Sequence, residues 1–170
     1  MRPVPRETIV QGLTNQASLS PEQALHLAHI SDGIPGNAIY LSKQPKILEQ
    51  RNTWLEDLQR ILRASRQERF DYIKPLLKNR NLLDRTKFRE LLLVWLPFWR
   101  DVMLRSSGTD APPVNIDRLE EIDVIANCLG LYRSFQVVKS LERALALLSK
   151  NVNGRLLAEV TLLDLPYFRD

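Results

Sequence analysis

The sequence predicts an all-α protein, and three observations lead there. Apolar residues recur at intervals of three and four along almost every segment. No run shows the alternating β-branched pattern of a strand. Short polar caps stand ahead of several apolar runs, as in Ser20-Pro21-Glu22-Gln23 and Ser65 followed by Glu68. With 44% hydrophobic and 26% charged residues in a chain of 170, there is enough apolar side chain for a core and too much for a disordered segment.

Element by element, a first helix is expected from Pro5, a favoured first-turn residue, with Ile9 and Leu13 one turn apart on its inner face. The serine cap, Pro21 and Gln23 open a second helix that turns Ala24, Leu27, Ala28 and Ile30 inward and ends at Gly33. A short third helix opens at Pro35 and carries Ala38, Ile39 and Leu41. These three form a small unit, residues 1–44, too small to be stable alone.

A larger unit, residues 45–170, begins after Gln44-Pro45 with a helix of about five turns. It places Ile47, Leu48, Trp54, Leu55, Leu58, Ile61 and Leu62 on one broad face. Ser65 and Glu68 form a capping box for the next helix, in which Phe70, Ile73 and Leu77 face inward and Pro75 bends or shortens the run. Asp84 is expected to cap a long helix over 85–106, closed by Gly108. Its stretch 91–99 is apolar on every side, the mark of a central post, and Pro97 predicts a bend in it. After the loop 109–114, Asn115 or Asp117 caps a helix with Leu119, Ile122, Ile125, Ala126 and Leu129 inside, interrupted at Gly130. Residues 131–150 continue with Phe135, Val138, Leu141, Leu145 and Leu148 inward, and Asn153 caps the last helix through Leu165.

Several function classes lack their residues. There is no glycine-rich phosphate loop with its lysine and no strand to carry one, so ATP hydrolysis by this chain is not expected. The glycines of Gly33-Ile34-Pro35-Gly36 fit a tight turn better than an anion site. His26 and His29 share a helix face without a third ligand and read as a solvated face. Glu120, Glu121 and Asp123 suit the first turns of a helix, and Ser106 and Ser107 have no histidine partner. Cys128, the one cysteine, excludes an intrachain disulfide and reads as a small buried hydrophobe. No catalytic, cofactor or metal residues are expected. No apolar run is long enough for a membrane span, and the N-terminus carries no secretion signal, so a cytoplasmic location is expected.

The net charge of +4 permits nucleic-acid binding. It is concentrated between Arg60 and Arg89, where ten Lys or Arg stand against three acids, a local excess of seven. Arg60, Arg63, Arg66, Arg69, Lys74 and Lys78 are therefore candidate contacts to phosphates or to a neighbouring subunit. The other reading of the same residues is a set of solvated helix faces.

Four motifs occur in order: D-G-I-P-G-N-A-I over 32–39, R-D-V-M-L-R-S-S-G over 100–108, N-I-D-R-L-E-E-I over 115–122, and the apolar tail 141–166 with its N-V-N-G joint. In this order and spacing the chain resembles the C-terminal part of the delta-prime subunit of bacterial DNA polymerase III, a clamp-loader component of the AAA+ type. The resemblance implies that residues 1–44 are the remnant of the AAA+ lid and residues 45–170 a helical collar domain. It also implies that a nucleotide-fold domain would precede Met1. The partners implied are the gamma/tau and delta subunits, in a scaffold that helps place the sliding clamp on primed DNA, with any DNA contact weak or indirect. Neither a small-molecule substrate nor a membrane is implied, and the polymerase activity belongs to the holoenzyme. Gly36 stands where ATP-binding relatives carry the sensor-2 arginine, so this lid would not sense ATP. Arg118 and Arg155 lie in the family-like motifs and join the candidate subunit contacts. An independent basic helical module that binds nucleic acid is the alternative expectation.

Overall fold

A computed structural model describes residues 4–17, 19–76, 82–150 and 152–168 of the chain. Among the described residues there are eight α-helices and no strand. The first three are α1 (Arg6–Ala17), α2 (Pro21–Ile30) and α3 (Pro35–Ser42). Ser20 caps α2 in a full capping box with Gln23, and Pro21 and Pro35 occupy first-turn positions where no N–H is needed. Gly33, at φ 77°, makes the left-handed turn between α2 and α3. The three helices enclose their own cluster of Ile9, Leu13, Ala24, Leu27, Ala28, Ala38 and Leu41.

The remaining helices are α4 (Pro45–Arg63), α5 (Arg66–Leu76), α6 (Leu82–Ser106), α7 (Leu119–Leu148) and α8 (Gly154–Asp164). A 3-10 turn, Ile116–Arg118, leads into α7. α6 lies against α4, α5 and α7, and the other end of the bundle is closed by α8 on α5 and α7. Leu91, Leu92, Trp95, Phe98, Trp99 and Val102 are fully buried along α6. Each such side chain contributes about 1.5–3 kcal/mol on leaving water, which makes α6 the axis of the core. The indole N–H of Trp95 donates to the carbonyl of Trp54 at 2.8 Å, tying α6 to α4.

The structure corrects several sequence expectations. α6 starts at Leu82, so Asp84 falls inside the helix instead of capping it. Leu93 on α6 is exposed, so the post is not covered on every side. Ile47 is also exposed, while Leu48 packs into the cluster of α1 to α3 rather than into the bundle. Leu119 and Phe135 point to solvent, and Ser134 takes the inward place expected of Phe135. The reason is close approach. Ser134 Oγ donates to the carbonyl of Gly130 and lies 3.3 Å from Ser106 Oγ, a contact between α6 and α7 that a phenyl ring would prevent. Leu77 lies outside the described residues.

Candidate interaction surfaces

The three-helix cluster and the bundle meet at a polar joint built by the loop and turn 112–118. Arg51, on the buried face of α4 and 7% exposed, sends Nη1 to Asp117 Oδ2 at 2.8 Å and Nη2 to Asp117 Oδ1 at 2.9 Å. The same Nη2 donates to Asn115 Oδ1 at 2.6 Å. Asn115, itself buried, donates through its side chain to Asp101 Oδ2 at 2.7 Å, and Asp101 also accepts from the backbone N–H groups of Val114 and Asn115. Asn115 and Asp117, expected as helix caps, are therefore links in a network that joins the two clusters instead, Asn115 buried and Asp117 reaching solvent; neither the 3-10 turn nor α7 has a side-chain cap.

From the other side α2 supplies two histidines. His26 Nε2 lies 3.2 Å from Asp117 Oδ1, and His29 Nδ1 donates to the carbonyl of Pro113 at 2.6 Å. Neither belongs to a solvated face, which corrects that reading: both are part of the contact between the two clusters. Burial raises the Asp117 pKa, but hydrogen bonding and charge from His26 and Arg51 outweigh it and hold the carboxyl well below the usual carboxylate range.

The basic residues are largely committed within the fold. Arg69, expected as a surface contact, is only 4% exposed and donates to the carbonyls of Ala64, Leu162, Leu165 and Pro166. Pro166 has no N–H for the carbonyl four residues before it, Leu162, and Arg69 takes that place. Arg85 does the same for the end of α7, donating to the carbonyls of Leu148 and Lys150. Arg60 pairs with Asp57 at 2.7 Å and lies over the Tyr72 ring, and Lys74 pairs with Asp71 at 2.6 Å. Arg63 also has a partner within the fold. Arg118, 17% exposed, lies among Glu121, Glu56 and Asp117, and Arg155 pairs with Glu159 one turn on. Arg66, Lys87 and Arg89 are exposed with no carboxylate partner among the described residues. Lys78 lies outside the described residues.

Apolar side chains reach solvent on α7 and α8. On either side of Gly130 stand Val124, Cys128, Leu131, Tyr132 and Phe135, with Tyr132 74% exposed. Cys128 is thus exposed, not buried as expected, because Ile125, Ala126 and Leu129 take the inward positions of that turn. Gly130 has φ 72° and ψ 168°, a conformation for which only glycine is suited, and it redirects the chain between the two halves of α7. On α8, Leu156, Val160 and Leu163 recur at helical spacing and remain 58%, 46% and 44% exposed.

Among the described residues no group of three or more His, Cys, Asp or Glu side chains is placed to hold a metal ion, and no helix is long and apolar enough to cross a membrane. Compared with models of known families and with curated proteins, the chain matches none.

Proposed function

We propose that this chain is a non-catalytic assembly module, the lid remnant and collar of a delta-prime-like clamp-loader subunit, which docks onto gamma/tau and delta. The observation that carries the reading is the run of exposed apolar residues about Gly130 on α7. Val124, Leu131, Tyr132 and Phe135 are placed outward on a helix whose other face is fully packed, and aromatic side chains of this kind anchor subunit interfaces. The four sequence motifs support the more specific identity. Two of them lie at the polar joint, where Asp101, Asn115 and Asp117 hold the loop that meets α2.

An independent nucleic-acid module draws less support. Within the basic stretch Arg69 and Arg85 serve backbone carbonyls, and Arg60 and Lys74 are paired with acids, so most of the cations that suggested a phosphate surface are engaged inside the fold among the described residues. Co-purification of the chain with gamma/tau and delta tests the proposal. The expected outcome is a stable complex that Tyr132→Asp together with Phe135→Asp disrupts. Tight binding of primed DNA by the isolated chain, falling steeply with salt and with no affinity for those subunits, would favour the basic module.

A further inference from the structure

We infer that the groove between the second half of α7 and α8 receives an amphipathic helix of a partner protein, apolar on the face that enters and acidic on the flank that meets α7. The groove has a volume of about 260 Å³, and its apolar lining includes Ala144, Leu147, Val152, Leu156, Leu157 and Val160. It is distinct from the Tyr132 and Phe135 surface, neither of which lines it. α8 buries Ala158, Thr161 and Leu162 against the bundle and leaves Leu156, Val160 and Leu163 as an open ridge. Ridges at this spacing match helices that present apolar anchors one turn apart.

Charge selects the occupant. Arg143 lines the groove, and Lys139, one turn before it on the exposed side of α7, lines the recess beside it. Arg143 has no carboxylate partner among the described residues, and Lys139 lies 5.2 Å from the Phe135 ring centre rather than against an acid. The apolar groove shares Ser140, Arg143 and Asp164 with a polar recess of about 480 Å³ lined also by Gln136 and Lys139. The acid there, Asp164, already accepts from Ser140 at 2.6 Å. Lys139 and Arg143 outnumber Asp164 in the recess, so a partner carboxylate meets a net positive edge beside an apolar floor.

The test is a fluorescence anisotropy titration of the full chain with a labelled amphipathic peptide of Leu and Glu, and with the same peptide carrying Lys at each Glu position. The Glu peptide is expected to bind with an affinity that falls as salt rises. Arg143→Glu should weaken it about ten-fold or more. Val160→Asp should abolish it, while Tyr132→Asp leaves it unchanged. All three positions are exposed, and an unchanged far-UV circular dichroism spectrum establishes that the variants fold. Absence of Glu-peptide binding, equal affinity for the Lys peptide, or no effect of Arg143→Glu overturns the inference. So does a dimer of the chain in sedimentation that Val160→Asp dissolves. Loss of gamma/tau binding on Tyr132→Asp with the peptide affinity intact separates this groove from the assembly surface.

Discussion

Arg51 and Asp117 face each other as a fork and a carboxylate, joined by parallel hydrogen bonds of 2.8 and 2.9 Å between residues 66 positions apart in the chain. Bidentate pairs of this kind fix orientation as well as distance. Removing the guanidinium takes both short hydrogen bonds from Asp117, which keeps His26 at 3.2 Å and Arg118 at 3.6 Å, and leaves the Asn115 side-chain oxygen, now held at 2.6 Å, without its donor. Arg51→Met is expected to destabilise the protein by about 2–4 kcal/mol, the range for breaking a largely buried pair, lowered because Asp117 keeps some solvent contact. Urea unfolding followed by circular dichroism measures it; a change below about 0.5 kcal/mol would show that the joint is ornamental to stability.

The same pair sets a pH dependence. The folded pKa of Asp117 lies below its unfolded value of about 3.9, so the unfolded chain binds the proton more tightly. Its contribution to stability is therefore complete above that unfolded value and is lost as the pH falls through the folded one. Asp117→Asn should flatten the acid limb of a stability-versus-pH curve below about pH 4 while lowering stability at neutral pH. Identical acid limbs in the two proteins would exclude this role.

Arg69 offers a third prediction. Its buried guanidinium, whose pKa burial pulls down, satisfies the carbonyls of Leu162, Leu165 and Pro166 at 2.7–2.8 Å. Arg69→Met preserves much of the packing and removes every donor, leaving several carbonyls unpaired at about 1 kcal/mol or more each. A loss of about 3 kcal/mol is expected, with the region after α8 the first to lose hydrogen-exchange protection. Retention of full protection there would contradict the capping role.

Gly130→Ala separates backbone strain from crowding. A methyl group there would meet no atom within 4 Å, yet φ 72° with ψ 168° is a conformation for glycine alone. The expected cost is about 1–3 kcal/mol, arising from the backbone and not from packing. Thermal unfolding of the variant reads it directly.

Caps, periods and breaks were legible in the sequence because they are local. Ser20 with Gln23, Ser65 with Glu68, and Asn153 all cap where the pattern placed them, and Gly130 interrupts α7 as expected. The joint was not legible as a joint, since its members are distributed over α2, α4, α6 and the turn before α7. One signal was available: Arg51 is a cation in register with Leu55, Leu58 and Leu62 on the apolar face of α4, a position that requires an internal partner. The basic stretch misled for the same reason. Composition counts charges, whereas the fold decides that Arg69 and Arg85 reach helix-end carbonyls instead of solvent.

Cys128 provides a reporter for the proposed assembly surface. It is the chain's only cysteine, it is exposed, and it stands among the outward apolar residues Val124, Leu131 and Tyr132 of α7. A maleimide should label it readily in the isolated chain, as expected of an exposed thiol. If gamma/tau or delta covers this part of α7, the labelling rate should fall by about an order of magnitude or more in the complex, because reaction then requires dissociation or local opening. A peptide bound in the α7–α8 groove should leave the rate unchanged, since Cys128 does not line it. Undiminished labelling in a complex that co-purifies intact would place the subunit contact on another face, and would separate the assembly role from the surface assigned to it.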